Sequence, residues 1–272
     1  MASNATPQAL IICGDGINCE FETEYGFDLA GFSSKRIHCT DLLANPAALN
    51  DAKALIFPGG FSFGDEIASG KVLAIKLREK LQDLLHDFID RGNLVIGICN
   101  GFQILVQLGI LPNSDRGAER TVSLCHNSSG RFINRWVSME VRDESKSQFF
   151  KGLKTIHLPM RHGEGKLTMA GEVEDQIRDM IKNRAPLRYQ TDVNGSFEQI
   201  AALVNEKGNV LGLMPHPEAF VNWSQHPAWA QLRYNDVDST DAIGMRFVVS
   251  KSDTQTTPHG LQILQNAAAM LN

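Results

Sequence analysis

Cys99 stands between two glycines, Gly97 and Gly101, in the stretch GICNGFQ (residues 97–103), at the end of the apolar run LVIGI. A cysteine that only fills space has no need of such flanks. G-x-C-x-G between a strand and a helix is the thiol form of the strained turn that presents a nucleophile. The glycines leave room for the tight turn and for close packing of the next helix. The N-terminus of that helix favours an anion at the sulfur. A buried structural cysteine is the bland alternative; position, flanks and polarity favour the nucleophile, which the rest of the chain must equip.

A thiol nucleophile needs a base, and the base needs a group to orient it. VLGLMPHPE (210–218) offers both in His216 and Glu218. Pro215 and Pro217 stiffen the turn that carries the imidazole. His216 would take the thiol proton and later protonate the leaving group. Glu218, two residues on, would hold the ring tautomer and stabilise the imidazolium. Acyl transfer also needs donors for the developing oxyanion. Candidates are the backbone N–H of Gly60 or Phe61, in FPGGFSFGD (57–65), and that of Asn100, directly after the cysteine.

These residues must be positioned by a scaffold. ALIICG (9–14), KRIHCT (35–40), KALIFPGG (53–60) and NLVIGIC (93–99) read as strands, with helices over 20–32, 71–91 and about 100–109. Apolar residues recur at helical spacing from Val72 to Phe88, and Arg91-Gly92 is a stop signal. LLANPAALNDA reads as a connection. Alternating strands and helices predict an α/β fold: an open, mainly parallel sheet with helices on both faces. Ligands bind at the carboxyl ends of the strands in such sheets, which is where Cys99 falls. In the second half WVSMEVR (136–142), TIHLPM, APLRYQ, QIAALVN and NVLGLMPH read as strands with little helix between them. They predict a mixed or antiparallel extension, closed by a helix over LQILQNAAAML. Residues 1–8 read as a flexible N-terminus, 9–272 as a single domain, and 231–259 as a long loop or flap.

The 272 residues carry a net charge of −5 with no basic block, which argues against nucleic acid or an anionic membrane as partner. No apolar run approaches the roughly 18 residues of a membrane span. MASNATPQAL lacks the pattern of a signal peptide. Five cysteines with no C-x-x-C pair or disulfide framework predict a reducing cytoplasm and no metal site.

PGGFSFGD, GICNGFQ and MPHPE together resemble the class I (triad) glutamine amidotransferases, of the flavodoxin-like fold type. Asn100-Gly101-Phe102-Gln103 is similar to the N-G-F-Q of the free-standing glutaminase subunits of phosphoribosylformylglycinamidine synthase. HNSSGRFINRWV (126–137), MRHGEG (160–165) and NGSFEQIAAL (194–203) resemble further stretches of that group, as does Asn18-Cys19-Glu20. The likeness runs from about residue 9 to the end. Pro159 to His162 depart from the small residues usual before H-G-E-G, and 231–259 lengthens the C-terminal region.

The resemblance implies that Cys99, His216 and Glu218 hydrolyse glutamine through a glutamyl thioester and pass ammonia to a larger synthetase subunit (PurL type), with a small bridging subunit (PurS type). ATP and Mg²⁺ belong to that partner; this chain needs no cofactor of its own, and it contains no P-loop pattern. Gln103 could reach bound glutamine or cap the elbow helix. Ser129, Phe132, Arg161 and His162 are weaker substrate-binding candidates. Arg131 and Arg161 could attract the substrate carboxylate or form surface ion pairs, and His162 could face the partner. Cys13, Cys19, Cys39 and Cys125 read as packing or loop residues. Two other classes are compatible with the fold: a cysteine hydrolase or peptidase of the DJ-1/PfpI group, in which histidine commonly follows the nucleophile where Asn100 stands here, and a non-catalytic interaction protein.

Overall fold

The computed structural model describes residues 6–117, 119–142, 147–234, 239–241, 248–250 and 252–271. Its strands are β1 (Gln8–Cys13), β2 (Ser33–His38), β3 (Ala54–Phe57), β4 (Leu94–Ile98), β5 (Val122–His126), β6 (Ile133–Val141), β7 (Thr155–His162), β8 (Glu164–Met169), β9 (Leu187–Tyr189), β10 (Ile200–Val204), β11 (Val210–Leu213), β12 (Ser239–Asp241) and β13 (Val248–Ser250). The helices are α1 (Glu20–Leu29), α2 (Cys39–Ala44), α3 (Lys71–Asp90), α4 (Asn100–Gln107), α5 (Asp175–Asn183), α6 (Trp229–Tyr234) and α7 (His259–Ala269).

The main sheet has nine strands in the order β2-β1-β3-β4-β11-β10-β9-β6-β7. The first five are mutually parallel. The other four join through antiparallel pairs. The architecture is therefore the expected α/β sheet with an antiparallel extension, and the order 2-1-3-4-5 of its parallel part is that of flavodoxin-like sheets. β3, β4, β10 and β11 are buried at every position. Such central strands read as continuous apolar runs because both faces are covered. α3 buries a single stripe, Leu73, Leu77, Leu81, Leu85 and Phe88, so one truncation such as Leu81→Ala would cost about 2–5 kcal/mol. α4 buries Asn100 through Val106 without a break.

Local readings differ from the structure at several points. KRIHCT does not continue as a strand to Thr40. His38 ends β2, and its ring accepts the Thr40 N–H and so caps α2. α5 and the two-stranded antiparallel sheet β5-β8 were not foreseen. In the segment read as a long flap, α6 and an antiparallel β12-β13 pair are described; 235–238, 242–247 and 251 lie outside the described residues, as do 1–5 of the N-terminus read as flexible.

An aromatic cluster buttresses the far side of the site. Trp136 meets Phe220 edge-on at 5.0 Å, and Phe220 meets Trp223 at 5.1 Å. The Trp223 indole donates to the Thr256 carbonyl at 2.8 Å. This packing fixes the chain that leaves Glu218, and α7 lies against the same turn.

Candidate active site

Because β3, β4 and β11 are neighbouring parallel strands, the segments that follow them converge at one sheet edge. Cys99 directly follows β4 and has φ 52°, ψ −104°. A positive φ is uncommon outside glycine and costs of order 1–3 kcal/mol unless the surroundings impose it. Here they do. Its N–H donates to the Leu213 carbonyl at 2.8 Å, and its carbonyl accepts the Gln103 N–H at 3.1 Å. A Cβ on Gly101 would lie 1.9 Å from the Phe57 carbonyl oxygen, and one on Gly97 would lie 2.6 Å from Gly101 backbone atoms. The glycines are thus what lets α4 sit directly on the sheet. The Cys99 thiol is nearly buried and lies 3.5 Å from the Arg161 carbonyl.

His216 and Glu218 follow β11, the strand beside β4. Their side chains are sealed from solvent, with Nδ1 2.6 Å from Oε1. A carboxylate only accepts, so Nδ1 donates and Nε2 is left for another partner. The His216 N–H donates to the Pro159 carbonyl at 2.9 Å, tying the turn to β7. Burial opposes charge on the ring, yet the Glu218 carboxylate and then Cys99 hold the His216 pKa well above the ordinary histidine value. The arrangement is a buried imidazole that keeps a proton readily, oriented by a carboxylate and electrostatically coupled to a thiol.

The loop after β3 is tied to the elbow. The Asn100 side chain accepts the Ser62 N–H at 3.1 Å and donates to Asp65 at 3.1 Å and Gln103 at 2.9 Å. Asp65 also accepts from the Ser69 hydroxyl and the Gly70 N–H. Burial raises its pKa, against the pull of these donors. Of the oxyanion candidates, Asn100 opens α4, so its N–H lies in the first turn, where no intrahelical acceptor exists. The Phe61 N–H is not available, because it donates to the Gly16 carbonyl at 2.8 Å. That leaves Gly60 as the candidate from this loop.

The weaker candidates separate. Gln103 spends its amide on structure: its oxygen accepts from Asn100, and its nitrogen donates to the Glu164 carbonyl at 2.5 Å. Arg161 offers its carbonyl to the cysteine, while its Nε is buried without a hydrogen-bond partner. Ser129 lies in an exposed turn and accepts the Arg131 N–H at 3.3 Å. Phe132 is exposed at the rim, 6.4 Å from the Phe61 ring. His162 is buried with neither ring nitrogen hydrogen-bonded. Burial, then the charge on His216, lowers its pKa to about 4. Two neighbours were not foreseen. Cys19 lies with His216 and Glu218, their ligating atoms within 4.8 Å of one another. Tyr189 is fully buried with an unpartnered hydroxyl, and burial, with a contribution from Cys99, raises its pKa. No sequence pattern marks Tyr189; Cys19 matched a motif without a role.

The model of the CobB/CobQ-like glutamine amidotransferase domain matches residues 6–246, so the chain belongs to the glutamine amidotransferases. Within that class, the chain belongs to the family of phosphoribosylformylglycinamidine synthase subunits called PurQ. It is 40% identical over 229 residues to the PurQ subunit of Dehalococcoides mccartyi, covering 82% of this chain and 89% of the relative. It is 35% identical to that of Methanococcus maripaludis over 278 residues, covering 98% of each. The solved structure of PurLQS from Thermotoga maritima contains a chain with which it superposes at a TM-score of 0.69 and 30% identity, covering 98% of this chain and 100% of that one.

Proposed function

We propose that this chain is the glutaminase subunit of a phosphoribosylformylglycinamidine synthase, acting in the cytoplasm as a source of ammonia. The observation that carries the reading is the strained Cys99 turn set beside the buried His216–Glu218 pair on the adjacent strand end.

In this mechanism Cys99 gives its proton to His216 Nε2 and attacks the side-chain amide carbon of glutamine. The oxyanion is met by the N–H groups of Asn100 and Gly60. Collapse breaks the C–N bond, and His216 returns the proton to the departing nitrogen, which leaves as ammonia. A glutamyl thioester remains on Cys99. Water, deprotonated by His216, attacks it and releases glutamate and the thiol. Glu218 holds Nδ1–H throughout and stabilises the imidazolium. Ammonia then passes to a synthetase subunit of the PurL type, with a PurS-type subunit between them. ATP and Mg²⁺ would be bound by that partner, where the amidine is formed. The loop at Gly59–Asp65 is the proposed gate: its glycines allow the oxyanion donor to swing in and out, the synthetase partner shifts it toward its competent form, and the lone chain turns over poorly.

Glutamate release by the purified chain, with a peptide substrate as control, tests the reading. Glutamine hydrolysis that is lost in Cys99→Ala supports it. Peptide hydrolysis without glutaminase activity would replace it with a cysteine peptidase.

A further inference from the structure

We propose that Cys19, His216 and Glu218 form an inhibitory binding site for a borderline-soft divalent cation, Zn²⁺ being the type case. The proposal rests on the reading of His216 as the catalytic base.

A thiolate sulfur, an imidazole nitrogen and a carboxylate oxygen are the donor types zinc takes. Their ligating atoms already lie within 4.8 Å of one another, and all three residues are buried. Bonds of about 2.0–2.3 Å to one metal place its ligands roughly 3.5 Å apart, so shifts of about an ångström close the site. A second observation points to a ligand. Oε2 of Glu218 is buried with no hydrogen-bond partner, although buried polar atoms are normally satisfied. One oxygen of the carboxylate is spent on Nδ1; the other is free to bind.

The sulfur is placed by backbone. Cys19 precedes α1 as its N-cap residue, and its N–H donates to the Gly59 carbonyl at 3.3 Å. A Cβ on Gly59 would lie 2.7 Å from Cε1 of His216 and 3.2 Å from Sγ of Cys19. Glycine at 59 is therefore what allows the thiol and the ring to share one wall. The Asn18 side chain accepts from the thiol at 3.4 Å, and that contact is given up when the thiol loses its proton on metal binding.

The consequence is chemical. Binding displaces the proton of the Cys19 thiol to solvent and the proton that Nδ1 shares with Glu218. The ring nitrogen left to carry a proton is then Nε2. A protonated Nε2 on a metal-bound ring cannot accept the proton of Cys99, so turnover stops without a bond between metal and nucleophile. No electron is transferred.

The test uses the full-length chain. Cd²⁺ titration reads thiolate ligation as an ultraviolet charge-transfer band, and zinc inhibition is read as glutamate release relative to each variant's own metal-free rate. The band is expected in the wild type and in Cys99→Ala, and lost in Cys19→Ser and Cys19→Ala. The zinc concentration for half inhibition is expected to rise at least ~10-fold in the Cys19 variants, the scale of losing even an outer contact to a metal. A band lost in Cys99→Ala and kept in the Cys19 variants would overturn the proposal, as would unchanged zinc inhibition in them. If no glutamate were released even with the synthetase partner present, the glutaminase reading would fail while the cadmium titration still decided the metal site.

Discussion

His216 and Glu218 are joined by a 2.6 Å bond between Nδ1 and Oε1, and both side chains are shut away from solvent on the strand end next to Cys99. Burial of an ion pair is costly unless geometry is good, so this contact makes the roles of the two residues separable by mutation. His216→Ala removes the base and should lower the glutamine turnover rate by roughly 10²–10⁴-fold, the span of general acid–base catalysis. Glu218→Gln keeps the base but sets an amide against Nδ1; its fall should be smaller than that of His216→Ala, because only the orientation and charge support of the base are lost. Steady-state glutamate release by the two variants decides it. A Glu218→Gln rate below that of His216→Ala would reverse the assignment.

The thiol itself can be found by chemistry. A diazoketone analogue of glutamine should alkylate Cys99 ahead of the four other cysteines. Exposure alone would choose Cys125, the most open of them, since Cys99 is buried. Peptide mapping separates the two, and a main adduct on Cys125 or Cys13 would remove the elbow from the account.

Gly101→Ala tests the packing that creates the turn. The added methyl would sit 1.9 Å from the Phe57 carbonyl oxygen, a backbone atom that cannot turn aside. The expected loss is about 3 kcal/mol or more, seen as a lower denaturant midpoint, together with slower alkylation of Cys99. A neutral result on both would show that α4 is free to move off the sheet.

A histidine cluster on the far side of the antiparallel extension gives the chain an acid limit. Burial, then the neighbouring His259 and His226, lowers the His157 pKa to about 3; burial, then His259, lowers that of His226 to about 4. In the unfolded chain both titrate near 6.5. Below that value the unfolded state binds protons that the folded state refuses, so stability is intact above about pH 6.5 and declines as pH falls toward 4. Each ring should cost on the order of 1–2 kcal/mol by pH 5. Urea denaturation at pH 7.5 and pH 5 measures this, and replacing His226 with Gln should reduce the difference. An unchanged pH difference in His226→Gln would contradict it.

How much was legible from residues alone follows physical reach. β4 and β11 are continuous apolar runs, and short local motifs stand at their ends, so Cys99, His216 and Glu218 could be singled out as candidates directly. β5 could not. VSLCH has no alternation, and its partner β8 lies far along the chain. α5 escaped because DQIRDMIKN fully buries only Ile181. The loss of Phe61 as an oxyanion donor depends on a backbone bond to Gly16, and backbone bonds leave no mark in side-chain pattern. Gln103 was open between two roles, and its two structural bonds favour the one that holds the elbow. Cys19 looked like a packing residue because its neighbours come from a turn almost two hundred positions away.

The most direct test of the central claim is amidine synthesis by the assembled complex carrying Cys99→Ala, supplied in turn with glutamine and with ammonium salts. If this chain serves to release ammonia, the glutamine-dependent rate should vanish while the ammonium-dependent rate stays near that of the wild-type complex, because free ammonia bypasses the thioester. Retained glutamine-dependent synthesis would contradict Cys99 as the nucleophile. Loss of the ammonium-dependent rate in a properly assembled complex would contradict the division of labour between the subunits.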